Sequence, residues 1–299
     1  MTEQRRGLWL GVGAYFIWGL FPLYWRLLKP AGALEILAHR MIWSFVFVGL
    51  LLAALRQWSW LRTLSRRALA TLALAAVVIS VNWGTFIYGV NSDRVVETSL
   101  GYFINPLISV LLGVVVLGER LRGLQWVAVG IGALAVVVLT VDYGRPPWIA
   151  LTLAFSFGTY GLLKKTAGAP AAEGLAVESG LLAPLALGYV VWLERTGEAT
   201  FGHVSFGHAL LMIGAGVATA IPLLLFAGAA NRIPLTTLGV LQYLAPLMQL
   251  AIGVLVLREP MPPARLAGFA LVWLALTIFT VDGLRTHRRQ LAEAAEAVC

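Results

Sequence analysis

Residues 106–119 read PLISVLLGVVVLGE, and residues 246–259 read PLMQLAIGVLVLRE. The two stretches lie 140 residues apart, and the likeness runs on to Asp142 in the first copy and Asp282 in the second. Over those 37 positions twelve are identical: Pro106/Pro246, Leu107/Leu247, Gly113/Gly253, Val114/Val254, Val116/Val256, Leu117/Leu257, Glu119/Glu259, Leu134/Leu274, Ala135/Ala275, Thr140/Thr280, Val141/Val281 and Asp142/Asp282. Apolar segments match one another cheaply, so the Leu and Val pairs carry little weight. The Pro, Gly, Glu and Asp pairs at one fixed offset carry more. Duplicated halves written in apolar stretches are a signature of secondary transporters.

Composition points the same way. Of 299 residues, 60% are hydrophobic and 12% charged. A soluble chain cannot hide that much apolar surface, so the fold class expected is all-α and integral to the membrane. The one cysteine, Cys299, forms no disulfide within the chain. The net charge of +8 is explained by arginines at span ends, not by a nucleic-acid partner. Arg5-Arg6 precedes an apolar run too long for a signal-peptide core, with no small-x-small cleavage site after it. The first span is therefore expected to be retained.

Ten apolar stretches are each able to cross a core of about 30 Å as a helix. They run over 7–28, 33–55, 68–90, 95–117, 123–141, 148–163, 172–193, 207–230, 235–257 and 264–283. With the N-terminus inside, inside segments hold fourteen Lys and Arg and outside segments seven, which predicts cytoplasmic termini. Arg62 and its neighbours make the loop between spans 2 and 3 the most basic. Five spans per copy is odd, so two inverted five-helix repeats follow: 7–142 (spans 1–5) and 147–283 (spans 6–10), with 284–299 a cytoplasmic tail. Trp58, Trp60, Trp126, Trp148 and Trp192 near span ends suit an interfacial belt.

Several chemistries find no support. The three lysines, Lys29, Lys164 and Lys165, lie outside any Gly-Lys-Ser/Thr phosphate loop. Asp93, Asp142 and Asp282 stand alone at span ends, and no Cys/His cluster has metal-ligand spacing. No cofactor and no metal are expected, and no enzyme. What remains is a scatter of polar residues over several helices, as a translocation cavity requires.

Span 2 carries Glu35, His39 and Arg40. Glu35 and His39 are four apart and share a face. They read either as an interfacial cluster with Arg40 snorkelling, or as a gate or proton relay at a cavity mouth. Span 4 carries Glu97, Gly101 and Asn105 at i, i+4 and i+8, ending beside Pro106, where a freed backbone carbonyl is expected. The second copy has Thr237, Leu241 and Ala245 there, so the kink is duplicated but the polar stripe is not. Glu97 joins the gating set and Asn105 the cavity set. Other cavity candidates are Tyr15 and Trp18 in span 1, Asn82 and Trp83 in span 3, Tyr102 in span 4, Tyr160 in span 6, Glu178 in span 7 and Gln242 in span 9. Their bland readings are aromatic packing for Tyr15 and Trp18, and backbone-bonded structural polarity for Ser156. Arg120 and Arg258 beside Glu119 and Glu259 read as helix-end charge pairs. Spans 5 and 10, nearly free of internal polar groups, read as scaffold.

The stretches AYFIWG (14–19), EILAHRMIWSF (35–45), ETSLGYFINPL (97–107), LGER (117–120), AFSFGTYGLLKK (154–165) and LGVLQYLAP (238–246) resemble the RarD-type branch of the EamA family, in the drug/metabolite transporter superfamily. The resemblance covers about Gly7 to Gly283. It implies two EamA repeats, ten helices, cytoplasmic termini and a bacterial inner-membrane location. Members look like permeases and carry a chloramphenicol-resistance label. The superfamily moves amino acids, nucleobases, other metabolites and drugs, mostly outward.

The leading reading is a secondary transporter, a permease or exporter of small metabolites or drug-like molecules, working by alternating access. The alternatives are an uncoupled facilitator of the same fold, an intramembrane enzyme or a non-transporting assembly subunit. Expected partners are a small-molecule substrate and membrane lipids. A homodimer is left open.

Overall fold

The computed structural model describes residues 2–56, 64–118, 120–168 and 170–296. Trp58, Trp60, Arg62, Glu119 and Cys299 lie outside the described residues, as do the side chains of Lys165, Arg288 and Arg289. The chain forms α1 (Glu3–Arg26), α2 (Ala33–Ala54), α3 (Arg66–Asn91), α4 (Val95–Leu117), α5 (Gly123–Tyr143), α6 (Trp148–Ala167), α7 (Ala171–Thr196), α8 (Phe206–Ala230), α9 (Leu235–Leu241), α10 (Leu244–Ala251) and α11 (Pro263–Glu296). A π turn, Ile252–Val256, extends α10. Among the described residues nine segments are long and apolar enough to cross a membrane, the run Thr237–Val256 through α9, α10 and the π turn counting as one. Helix α6, as long as that run at 20 residues but less apolar with Ser156, Tyr160 and Lys164, is the tenth long helix.

Local signals set the helix ends. Ser65 and Ser205 cap α3 and α8 by accepting from Ala68 N and His208 N. Gly118 and Gly197 stop α4 and α7 at φ of 69° and 74°, a backbone state that side chains with a Cβ resist. Trp126, Trp148 and Trp192 are exposed near helix ends, and exposed Val and Leu cover much of the surface, as lipid contact requires.

Exchange of the two halves maps the main helix pairs onto one another. The counterparts are α1 and α6, α2 and α7, α3 and α8, α4 and α9–α10, α5 and α11. The α3–α6 contact is mirrored by α8–α1, α4–α6 by α10–α1, and α3–α7 by α8–α2. Helices α2 and α7 pack on each other, as do α5 and α11, so these pairs straddle the axis. Five crossings per half start α6 from the end opposite to α1. The two-fold relation is therefore an inversion, with its axis in the membrane plane. The α5–α11 pair packs mainly on itself, touches α4 only lightly, and sits at the periphery.

The helix interruption is not duplicated. Pro106 lies within continuous α4, whereas the ninth span breaks at Gln242–Tyr243 and Pro246 falls in the first turn of α10. A proline there removes an N–H that has no intrahelical acceptor, so the break accommodates it.

The stripe Glu97–Gly101 faces α6. A Cβ on Gly101 would lie 2.8 Å from the Ala150 carbonyl oxygen and from Leu153 Cβ, and one on Gly216 would run into the Trp43–Ser44 backbone of α2. A Cβ on Gly130, on the exposed face of α5, meets nothing within 4 Å. Gly101→Ala and Gly216→Ala should each cost about 1–3 kcal/mol in thermal or denaturant unfolding of the purified protein, and Gly130→Ala much less. Unchanged stability in both of the first two would contradict the close helix approaches.

Candidate functional site

Arg40 lies seven residues past Ala33, about 10 Å along α2 from its start. It is 3% exposed. Its guanidinium stacks 3.7 Å from the Trp83 ring centre, with Trp25 at 5.0 Å and Phe21 at 5.7 Å. Nε donates to Thr219 Oγ1 at 2.8 Å, and that hydroxyl donates to the Ala215 carbonyl at 2.8 Å. No carboxylate pairs with Arg40 among the described residues, and its terminal nitrogens donate to none of them. Placing an arginine at this depth costs about 2.5–3.5 kcal/mol on insertion scales. Desolvated cation–π contact returns up to about 2 kcal/mol. Four of the five guanidinium N–H donors are still unmatched.

Beside it a neutral chain of hydrogen bonds joins three helices. The Tyr102 hydroxyl donates to Asn82 Oδ1 at 3.3 Å. Asn82 Nδ2 donates to Ser156 Oγ and the Leu153 carbonyl, both at 3.0 Å. Asn82, Trp83 and Tyr102 thus gather with Arg40 between α1, α2, α3, α4 and α8, while Ser156 ties them to α6.

The inverted half carries the complementary charge. Glu178 lies seven residues past Ala171, the first residue of α7, the counterpart of α2. It is 2% exposed, accepts from Lys164 Nζ at 2.8 Å and from the Tyr160 hydroxyl at 3.1 Å. This acid is satisfied from within the chain. The other candidates are more dispersed. Tyr15 and Trp18 form an aromatic cluster with Phe226, at 5.3–6.1 Å between ring centres. Buried Asn105 has a long contact of 3.5 Å from the Ser109 hydroxyl. Half-buried Gln242 caps the broken end of α9.

Glu35, His39 and Arg40 do not meet as one cluster. Glu35 accepts from Thr200 N at 2.7 Å, the Thr200 hydroxyl at 3.0 Å and Phe201 N at 3.2 Å. His39 stacks on Phe201 at 4.5 Å and accepts from Trp43 Nε1. Their shared face looks to the loop after α7, and the next residue, about 100° round the helix, points Arg40 elsewhere. Glu97 also serves another partner: it binds Arg145 at 2.7 Å and accepts from Ile149 N at 3.2 Å.

A third acid at this end, Glu259, is no charge pair with Arg258. Its two oxygens accept from Val95 N at 2.6 Å and Val96 N at 2.8 Å, capping α4, whose own cap residue Arg94 makes no side-chain bond. Glu35, Glu97 and Glu259 therefore each tie one half to the other, all at the end opposite the two termini. Around Glu97, Arg145, Glu259 and Arg265 they leave a recess of about 150 Å³. Sequence reasoning missed Thr219, Trp25, Lys164 and Glu259 as site residues. The repeat of Glu119 at Glu259 was the signal available for the last.

Burial pushes the Glu259 carboxyl above its ordinary 4.5, the Val96 and Val95 amides pull it down, Asp93 pushes it up and Arg265 pulls it down, with a net rise. A closed end holds this proton more readily than a hydrated one. Acidification from neutral toward 4.5 should favour closure, and a rise in pH opening. A cysteine replacing buried Val96, in a Cys299→Ser chain, reports this through its reaction with a membrane-impermeant thiol reagent. Scored as the fraction of thiolate labelled, reaction should fall on acidification, and Glu259→Gln should flatten the response. An unchanged response in that variant would contradict the assignment.

Comparison with known proteins bears on this architecture. The model of the EamA-like transporter family matches residues 5–141 and again 146–281. Protein RarD of Streptomyces exfoliatus is 60% identical, over 97% of this chain and 93% of its own. The uncharacterized transporter YojE of Bacillus subtilis is 46% identical, over 96% and 97%, and Protein RarD of Escherichia coli 42%, over 96% and 98%. A crystal structure of 19% identity superposes with a TM-score of 0.61, covering 95% of this chain and 99% of that one, which supports the fold. Two family matches, relatives named as transporters and nine helices long and apolar enough to span among the described residues converge: the chain belongs to the EamA-like transporter family and is a multi-pass membrane transporter of that family.

Proposed function

We propose that this transporter moves small metabolites or drug-like molecules across the bacterial cytoplasmic membrane by alternating access, with both termini in the cytoplasm. The halves 7–142 and 147–283 rock about the buried polar residues. The observation that carries the reading is the location of Glu35, Glu97 and Glu259: all three bridge the halves at one end. A gate needs such contacts, which break together when that end opens. The charge split of fourteen to seven supports an outward-facing position for it. The chain then shifts its substrate without chemical change.

A disulfide across this end tests the reading. A Cβ on Gly253 would lie 3.5 Å from Val95 Cβ, within disulfide range. Val95→Cys with Gly253→Cys, in a Cys299→Ser chain, should cross-link on oxidation. Proteoliposomes are assayed for counterflow with labelled chloramphenicol, amino acids and nucleobases. Whichever solute exchanges should lose at least about 90% of its flux on oxidation and regain it on reduction. Full exchange through the cross-linked protein would contradict alternating access.

A further inference from the structure

We infer that Arg40 is the anchor of an anion-binding site, and that the molecule carried is a small organic anion with a flat apolar body. This rests on the transport reading above for the word carried, but not for the binding. The inverted repeat supplies the comparison. At the same helix position the second half places Glu178 and answers it with Lys164 and Tyr160. The first half places Arg40 and answers it with ring faces and a single hydroxyl, Thr219. The Thr219 oxygen uses its own proton on the Ala215 carbonyl and takes only Nε. Neither acid near the start of its helix is free for Arg40, since Glu35 is taken by Thr200 and Phe201, and Glu97 by Arg145 and Ile149. The buried Trp25 Nε1–H, on a ring that flanks the guanidinium, also lacks an acceptor.

The chemistry follows from those donors. A planar fork of N–H groups in a dry setting fits carboxylate or phosphate oxygens in two parallel bonds. Trp25 and Phe21 are buried and wall the guanidinium, and the half-buried rings of Trp83 and Tyr102 beside it offer apolar surface to a ring or short hydrocarbon attached to that anionic group. A cation is repelled, and a neutral amide gives the fork one oxygen with no charge.

Purified full-length protein titrated with paired probes tests the inference, with binding read from tryptophan fluorescence and thermal stability. The pairs are acetate and acetamide, benzoate and benzamide, indole-3-acetate and indole-3-acetamide, with phenyl phosphate beside benzoate to tell the two oxyanions apart. At least one anion should bind about 30-fold or more tightly than its neutral partner. Arg40→Gln should erase that preference and Arg40→Lys retain part of it. Thr219→Glu, which supplies a carboxylate from within, should also erase it. The inference is overturned if no anion outbinds its neutral partner in the wild-type protein, a result that needs no variant to fold. It is equally overturned if the preference survives in Arg40→Gln. Anion preference without counterflow of the bound anion would leave the site standing and remove the claim that the anion is carried.

Discussion

Lipid offers no hydrogen bonds, so a polar group in these spans either finds its partner inside the chain or is left at a cost, and this constraint shapes the rest of the structure. Asn82 is fully buried and spends its amide on Ser156 and the Leu153 carbonyl, joining α3 to α6. Gln249 reaches the Trp18 carbonyl across from α10 to α1. Glu259 supplies the cap that α4 lacks locally. Each bond crosses between halves, so polar satisfaction and assembly of the two halves are one event.

The symmetry of the halves is a symmetry of packing more than of chemistry. Helix contacts map onto one another under exchange, while the buried charges do not. Glu178 closes on its own lysine; Arg40 meets no acid among the described residues. The α4 stripe of Glu97 and Gly101 presses against α6, but its counterpart in α9 and α10 presents Leu241 to Gly11 of α1. Apolar packing tolerates an inverted copy, and the asymmetric polar residues are free to specialise.

The fold was legible because span length and charge bias are local properties. The repeat at Pro106 and Pro246, the ten apolar runs and the odd number per copy led to inverted halves without any contact being known. The candidate site was only partly legible. Asn82 and Glu178 stood out because an amide or acid in lipid is costly wherever it lies. Their partners were hidden to different degrees. Lys164 lies 14 residues from Glu178, within reach of a pattern, but Val95 is 164 residues from Glu259. The break at Gln242 was invisible because a proline at matching positions, Pro106 and Pro246, signals the same bend in both copies, and packing against α6 or α1 decides what each does.

The central claim is that the two halves move against each other about the buried polar layer, one end closing as the other opens. Paired spin labels measure this directly. One pair, at Lys29 and Glu198, spans the end that holds the three acids, and a second, at Leu55 and Thr166, spans the other; all four positions are exposed. Across a pH change or ligand addition, the account predicts distance changes of opposite sign in the two pairs. Distances that change together, or a fixed distance in both pairs while solute is exchanged, would contradict it.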